Sequence, residues 1–305
     1  MSESYLTKPI SSFNRIKEQV TGLGANAGVA FILPTFLLIA GLLLYPMINT
    51  VLLSFGVTGG GFTLSHYGEL FTASWFVSVV KNSAVWVLLG AFLQIVVGFG
   101  LALLLNTRLP AKKYLRGLYL LPWITPAVVV ALVFKWMYNP QFGILNHILM
   151  QIGIAGSPIQ WLSNPDIALL SLIVAGVWKR FPFVMIMLLA GLQDIDEQLE
   201  NAAIIDGAPY FARMRHVTLP QLIPVLKIVV LLSVIWCFNQ FAIIYTATGG
   251  GPIGSTMIFP VKVYELGFEQ LNFGLATSLS VIMFGIMVLF MMAYMRTLRS
   301  QGVEL

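Results

Sequence analysis

The stretch NSAVWVLLGAFLQIVVGFGLALLLNT, residues 82–107, contains no Asp, Glu, Lys or Arg and lies between Lys81 and Arg108. About 20 apolar residues are enough for a helix to cross the hydrocarbon core of a bilayer. Backbone N–H and C=O groups in lipid must be paired within the chain, so an apolar run of this length forms a helix there. The stretch therefore predicts a transmembrane helix.

Uncharged runs of the same kind recur over 19–68, 228–261 and 270–295. The chain has 305 residues, of which 58% are hydrophobic and 10% charged, whereas soluble domains carry about 25% charged residues. We therefore predict an all-α membrane protein with six transmembrane helices. Their expected bounds are 28–54, 76–105, 117–138, 166–191, 222–247 and 273–295.

Basic residues indicate the orientation of these helices. Lys and Arg concentrate before the first helix and after the second, fourth and sixth, and such segments stay in the cytoplasm. We expect both termini to be cytoplasmic in a multi-pass membrane protein. The net charge of +5 follows this bias, so it is not a sign of nucleic-acid binding.

Three domains follow from this layout. A cytoplasmic tail covers 1–27, a transmembrane domain covers 28–296 and a second cytoplasmic tail covers 297–305. In the first tail, apolar residues share one face after Ser11–Ser12, which favours an interfacial helix. A disordered tail is the alternative at this point.

The loop between the fourth and fifth helices, 193–220, differs from the other loops in its mixture of acidic and basic residues. Its centre reads ENAAIIDGAP, residues 200–209. Alanines favour a first helix, Gly207 suits the left-handed position at its end, and Pro209 can start the next helix. The pattern predicts two short helices joined at a glycine, the second ending near His216. They could dock into a partner's groove or lie flat on lipid, and both remain open here.

This loop resembles the "EAA" loop of permease subunits of bacterial ABC importers. That pattern is Glu-Ala-Ala, three residues, Gly, nine residues, then Ile, any residue and Leu-Pro. Asp206-Gly207-Ala208 also resembles the sugar-transporting branch. Asn201 departs from the pattern because it stands where the motif has Glu, and the neighbouring Glu200 points about 100° away on a helix. The positions in register are Ala202, Ala203, Gly207, Val217, Leu219 and Pro220.

Further stretches resemble maltose-type carbohydrate permeases, so that the likeness extends over about 28–296. These stretches are Leu120–Asn146, Val177–Lys179, Pro182–Phe183, Ala190–Leu192, Phe241–Pro252, Tyr264 and Gly274–Ala276.

The resemblance implies a type I ABC importer permease fold and a specific assembly. This chain would form half of the translocation pore beside a second, non-identical permease. Two ATPase subunits and an extracytoplasmic substrate-binding protein would complete the importer in membrane lipid. ATP and Mg would be used by the ATPases, so this chain would bind no cofactor and would not be an enzyme. The residues implied in ATPase coupling are Glu200, Asn201, Ala202, Ala203, Asp206, Gly207, Ala208 and Pro209.

The family also places substrate contacts on the fourth and fifth helices. Charges as deep in a span as Lys179 and Arg180 are costly and usually face a cavity or a partner. Two positive charges would favour an anionic or highly hydroxylated ligand, such as a sugar derivative. The alternatives are snorkelling or a helix break near Pro182. The eight pathway positions are Gly176, Lys179, Arg180, Phe183, Ser233, Trp236, Cys237 and Gln240.

The four pathway residues of the fifth helix follow the spacing i, i+3, i+4, i+7 and therefore share one face. A Trp beside hydroxyl and amide groups suits a sugar. Helix–helix packing is the alternative, because small and polar residues also line interfaces in membranes.

Other activities find little support in the sequence. No Asp or Glu lies in the interior of any span, which disfavours a membrane-embedded lipid- or glycan-processing enzyme and a secondary carrier. The three histidines do not have metal-ligand spacing. The loop GGGPIGST, residues 249–256, lacks the Lys of a phosphate-binding loop. It is expected on the outer side, as a turn at the gate or a contact for the binding protein.

Overall fold

A computed structural model describes residues 29, 31–57, 60–107, 110 and 112–299 of the chain. Within these ranges all regular structure is helical. The interfacial helix expected within 1–27 lies outside the described residues. The helices are α1 (Phe31–Ser54), α2 (Ser65–Thr72), α3 (Phe76–Asn106), α4 (Lys112–Ile124), α5 (Ala127–Met137), α6 (Ile144–Gln151), α7 (Pro165–Gln193), α8 (Glu197–Ile205), α9 (210–238), α10 (Ala242–Thr248), α11 (Phe259–Tyr264) and α12 (Phe273–Arg299).

Among the described residues, five helical runs are long and apolar enough to cross a membrane, and the bent pair α4–α5 makes a sixth if it counts as one span. The all-α membrane fold predicted from the sequence is confirmed. The five runs are Phe31–Ser54, Phe76–Asn106, Pro165–Gln193, Tyr210–Thr248 and Phe273–Thr297.

The third predicted span, 117–138, is not one straight helix. It consists of α4 and α5, which meet at an angle of 95° around Thr125–Pro126. Proline has no N–H to donate and disfavours helical geometry at the residue before it. Pro126 therefore ends α4 and becomes the N-cap of α5, with ψ of 140°.

The fifth predicted span, 222–247, lies within the single run Tyr210–Thr248, in which regular helix is interrupted at 239–241 without a sharp bend. Helix α9 reaches Phe238, and α10 begins only at Ala242. No Pro or Gly lies at this break, where the Asn239 side chain donates to the Ile235 carbonyl at 2.9 Å and the tertiary contacts described below hold the end of α9.

Among the described residues, three short helices, α2, α6 and α11, lie in the loops away from α8. The sequence predicts one of them over 144–152, and α6 confirms it. Helices α2 and α11 were not predicted, and the sequence reasoning described the stretch before Asn272 only as polar. It forms α11 and a π turn at Glu265–Glu269. There Lys262 pairs with Glu265 at 2.8 Å and lies over the ring of Trp75.

Helix α7 is the centre of the bundle and packs against α3, α4, α5 and α9. Its closest approach is to α3 at Gly98, where an added Cβ would lie 2.6 Å from Val184 Cγ1 and 3.0 Å from the Met185 nitrogen. Small residues permit such close contact between membrane helices.

We expect Gly98→Val to lower the thermal unfolding midpoint of the purified protein, because overpacking costs about 1–3 kcal/mol. Gly100→Val is the matched control. The same substitution two residues along α3 meets no atom within 4 Å and should leave the midpoint close to wild type. Equal midpoints for the two variants would contradict close α3–α7 packing.

Candidate functional site

The loop between α7 and α9 contains the predicted two-helix unit. Helix α8 is capped by Asp196, whose carboxylate accepts a hydrogen bond from the Gln198 N–H at 2.8 Å. It ends at Gly207, whose φ is +75°. The N–H groups of Gly207 and Ala208 donate to the carbonyls of Ile204 and Ala203, each at 3.0 Å. This is the Schellman arrangement that a C-terminal glycine permits, so the predicted helix end is confirmed.

The second helix of the loop does not end near His216, as the sequence suggested. It begins at Tyr210, directly after Pro209, and passes through a π turn at Met214–Thr218 into the membrane-spanning part of α9. The loop is therefore continuous with a spanning helix. At its start, the Arg213 Nη1 donates to the Ala208 carbonyl at 3.0 Å, which ties the helix to the glycine turn.

The same loop presents apolar side chains that are largely exposed, although the Phe211 ring contacts that of its neighbour Tyr210. Ile205 is 85% exposed and Phe211 83% exposed. Contiguous apolar surface of this kind marks an interaction site. Leu199, Ile204 and Tyr210 are exposed beside them. Of the eight predicted coupling residues, six are exposed, and only Ala203 and Ala208 are half-buried.

In the bundle, Lys179 and Arg180 lie at the middle of α7, which runs through Pro182 without a break. The alternative of a helix break near Pro182 is therefore wrong. The Lys179 Nζ donates to the carbonyl of Thr125 at 2.5 Å and to that of Trp123 at 3.3 Å. Lys179 thus binds the end of α4, at the α4–α5 bend.

Arg180 is buried between α7 and α9. Its Nη2 donates to the Gln240 Oε1 and, at 3.4 Å, to the Trp236 carbonyl. Its Nη1 lies 4.0 Å from the Cys237 Sγ. Among the described residues, neither Arg180 nor Lys179 forms an ion pair. Both cations are therefore satisfied by neutral oxygen and sulfur atoms.

The predicted face of α9 divides into a buried part and an exposed part. Ser233, Cys237 and Gln240 are buried, whereas Trp236 is 37% exposed. The Cys237 carbonyl accepts a hydrogen bond from the Trp86 indole at 3.0 Å. The buried residues thus take part in helix contacts within this chain.

Gly176 lies in the same buried layer. A Cβ added there would lie 3.0 Å from the Trp86 ring. Among the eight predicted pathway residues, those with side chains reaching the surface are Lys179, Phe183 and Trp236.

Three aromatic rings lie together at this surface. The Phe183 ring is 4.6 Å from the Trp236 ring and 6.0 Å from the Trp123 ring, measured between centroids. We call Trp123, Phe183 and Trp236 the aromatic platform. The sequence reasoning did not include Trp123 among the pathway residues. Its position shortly before Pro126, where a helix is expected to end, was the signal that could have pointed to it.

At the end of the bundle away from α8, the glycine-rich loop forms a fixed turn. Asn82 on α3 donates from its Nδ2 to the carbonyls of Gly254 at 2.9 Å and Met257 at 3.2 Å. At its tip, Ile253 is 97% exposed and has φ of +50°. A β-branched residue rarely adopts such a left-handed conformation, so the turn holds an apolar side chain outward.

The described residues contain no group of three or more His, Cys, Asp or Glu side chains that could hold a metal ion.

A family model described as binding-protein-dependent transport system inner membrane component matches residues 94–300. The trehalose/maltose transport system permease protein of Thermococcus litoralis is 38% identical over 67% of this chain and 68% of its own length. The sulfoquinovosyl glycerol transport system permease protein of Agrobacterium fabrum is 29% identical over 90% of each chain. A crystal structure of a bacterial ABC transporter that imports the acidic polysaccharide alginate contains a chain with a TM-score of 0.82. That chain is 21% identical and covers 95% of this one.

Proposed function

The chain belongs to the family of binding-protein-dependent inner membrane transport components, and we propose that it is the permease subunit of an ATP-driven importer of sugars or sugar derivatives. The observation that carries the proposal is the α8–Gly207–α9 unit, an exposed, capped helix pair continuous with a spanning helix.

The substrate class is supported by the relatives and by the aromatic platform. The relatives are described as transporting trehalose/maltose or sulfoquinovosyl glycerol. Aromatic rings cover the C–H faces of sugars, while nearby polar groups bind hydroxyls. The Lys179 ammonium has three donors, two of which bind carbonyls. The third is available to an acidic sugar, so anionic derivatives fit the pathway.

We propose that the eight predicted pathway residues act in two layers. Lys179, Phe183 and Trp236 meet the substrate, and the platform adds Trp123. The buried residues Gly176, Arg180, Ser233, Cys237 and Gln240 form the layer that supports them.

ATP would act through the α7–α9 loop, at positions 200–209. A partner can drive a conformational change only through contacts that differ between the two states. The exposed Ile205 and Phe211 provide an apolar surface that a neighbouring ATPase would bind. ATP and Mg would be bound by two ATPase subunits, and no cofactor would be bound by this chain.

The assembly would contain a second, non-identical permease, which completes the pore, and an extracytoplasmic substrate-binding protein. This arrangement makes 28–296 the transmembrane permease domain, with cytoplasmic tails at 1–27 and 297–305. Both termini and the α7–α9 loop would lie on the cytoplasmic side.

Purification under mild conditions tests the proposal. The tagged chain should bring down an ATPase and a second permease, and reconstituted complex should take up sugar only with ATP inside and binding protein outside. Ile205→Asp with Phe211→Asp should release the ATPase. Sugar uptake or lipid turnover by the chain alone would instead identify a secondary carrier or an enzyme.

The turn that holds Ile253 gives a prediction for the binding-protein contact. We expect Ile253→Asp to reduce stimulation of ATP hydrolysis by the binding protein about tenfold, because burying an unpaired charge at an interface costs more than 1.4 kcal/mol. ATP hydrolysis without binding protein should stay at the wild-type rate.

Ile253→Leu is the control for that prediction. It keeps an apolar side chain at φ of +50° and should retain most of the stimulation. Full stimulation of the aspartate variant would show that the binding protein docks elsewhere.

A further inference from the structure

Two spanning runs of this chain are interrupted, and both interruptions lie against the middle of α7. The first is the 95° bend between α4 and α5, at Thr125–Pro126. The second is the gap between α9 and α10, at 239–241. Lys179 contacts the first and Arg180 the second. The two cations are adjacent in sequence, so they point about 100° apart around α7 and reach different neighbours.

An interrupted helix leaves its last carbonyls without intrahelical partners. Those carbonyls carry the partial negative charge of the helix C-terminus. In lipid such groups need partners from elsewhere in the protein. The ends of α4 and α9 are therefore sites where a cation is stabilised without any carboxylate.

The contacts match that requirement at both helix ends. At α4, Lys179 binds the carbonyls of Trp123 and Thr125. At α9, Arg180 binds the carbonyl of Trp236, and the Trp86 indole binds that of Cys237. Two of these acceptors, Trp123 and Trp236, are the tryptophans of the aromatic platform.

We propose that Arg180 is a positioning residue and that Lys179, besides the one donor it offers to the sugar, uses its two carbonyl contacts in the same way. Together they brace the two interrupted helices and thereby set the spacing of the platform. Each cation holds the main chain of one platform tryptophan. Phe183, one turn further along α7, lies between the two indole rings. The basic pair and Phe183 thus fix three rings from three helices in one arrangement. The role of the platform rests on the proposed sugar transport, but the bracing itself does not.

The native Cys237 is a reporter of the Arg180 brace. It is the only cysteine in the sequence and is 1% exposed. We expect Arg180→Gln to speed alkylation of Cys237 by a small membrane-permeant maleimide about tenfold, because loss of a charge-assisted hydrogen bond costs about 1.5–3 kcal/mol. Arg180→Lys should give an intermediate rate, and Lys179→Met should leave Cys237 protected, because Lys179 braces the other helix. Lys135→Met, on the exposed side of α5, controls for loss of positive charge.

Transport kinetics of the reconstituted complex supply the second measurement. Lys179→Met and Arg180→Gln should each raise the KM for sugar about tenfold by disordering the platform. The maximal rate should change much less, and Lys179→Arg should restore the KM. A merely destabilised protein would lose maximal rate and yield instead.

Several results would overturn the brace. One is that Cys237 stays protected in Arg180→Gln, and another is that all variants of Lys179 and Arg180 lose maximal rate at unchanged KM. If Arg180→Gln does not accumulate in the membrane, the alkylation rate of Arg180→Lys decides: a rate equal to wild type refutes the brace. Should the wild-type complex transport no sugar, the proposed function fails, and Cys237 alkylation still tests the brace on its own.

Discussion

Replacing Gly207 with proline should reduce ATP-driven uptake about a hundredfold while the protein stays in the membrane. Gly207 has φ of +75°, whereas proline is held near −65°. The Gly207 N–H also donates to the Ile204 carbonyl, and this hydrogen bond would be lost because proline has no N–H. An incompatible proline costs about 3 kcal/mol, so the helix end and the apolar surface beside it would be rearranged. Uptake into vesicles and ATP hydrolysis by the same complex are the measurements.

Gly207→Asn is the control for this prediction. No other residue lies within 4 Å of a Cβ added at Gly207, and asparagine adopts left-handed geometry more readily than most residues. It should therefore keep most of the uptake. Normal uptake by Gly207→Pro would mean that the α8–Gly207–α9 unit does not transmit the energy of ATP.

Removing both tryptophans of the platform should raise the KM for sugar about a hundredfold. Trp123→Ala and Trp236→Ala each delete a partly exposed ring beside Phe183. Stacking on one aromatic ring contributes about 1–3 kcal/mol, judging by nucleobases. Loss of two rings at about 1.4 kcal/mol each corresponds to the hundredfold change. Uptake should be measured over a range of sugar concentrations.

The control for the platform is Trp136→Ala. Trp136 is 73% exposed on α5, and the substitution makes the same change in composition. Its KM should remain near wild type. An unchanged KM in the platform double variant would place the sugar elsewhere in the pore.

The layout of spanning helices could be predicted because it depends on local composition. Uncharged runs must be helical in lipid, and five of the six predicted spans are recovered as long helical runs. The end of α8 at Gly207 could also be predicted, since a glycine after a helix is a local signal. The 95° bend between α4 and α5 was missed although the sequence contains Pro126, because hydropathy averaged over a window carries no information about the direction of the helix axis.

The break between α9 and α10 could not be predicted in the same way. Its main-chain ends are held by Arg180 and Trp86, which lie far away in sequence. The same holds for the platform, since Trp123 reaches Phe183 only because α4 turns away at Pro126. Contacts between distant segments decide which of the predicted pathway residues are buried, and no spacing rule within one helix contains that information.

Helix α9 runs without interruption from Tyr210, in the α7–α9 loop, to Phe238, beside the aromatic platform. At 1.5 Å per residue the helix is roughly 40 Å long. Each residue added to or removed from α9 would rotate Trp236 by about 100° relative to Gly207. If the proposed function holds, the angle between the ATPase contact and the substrate contact is set by a residue count, so we expect a change in the length of this helix to impair transport more than most substitutions in it.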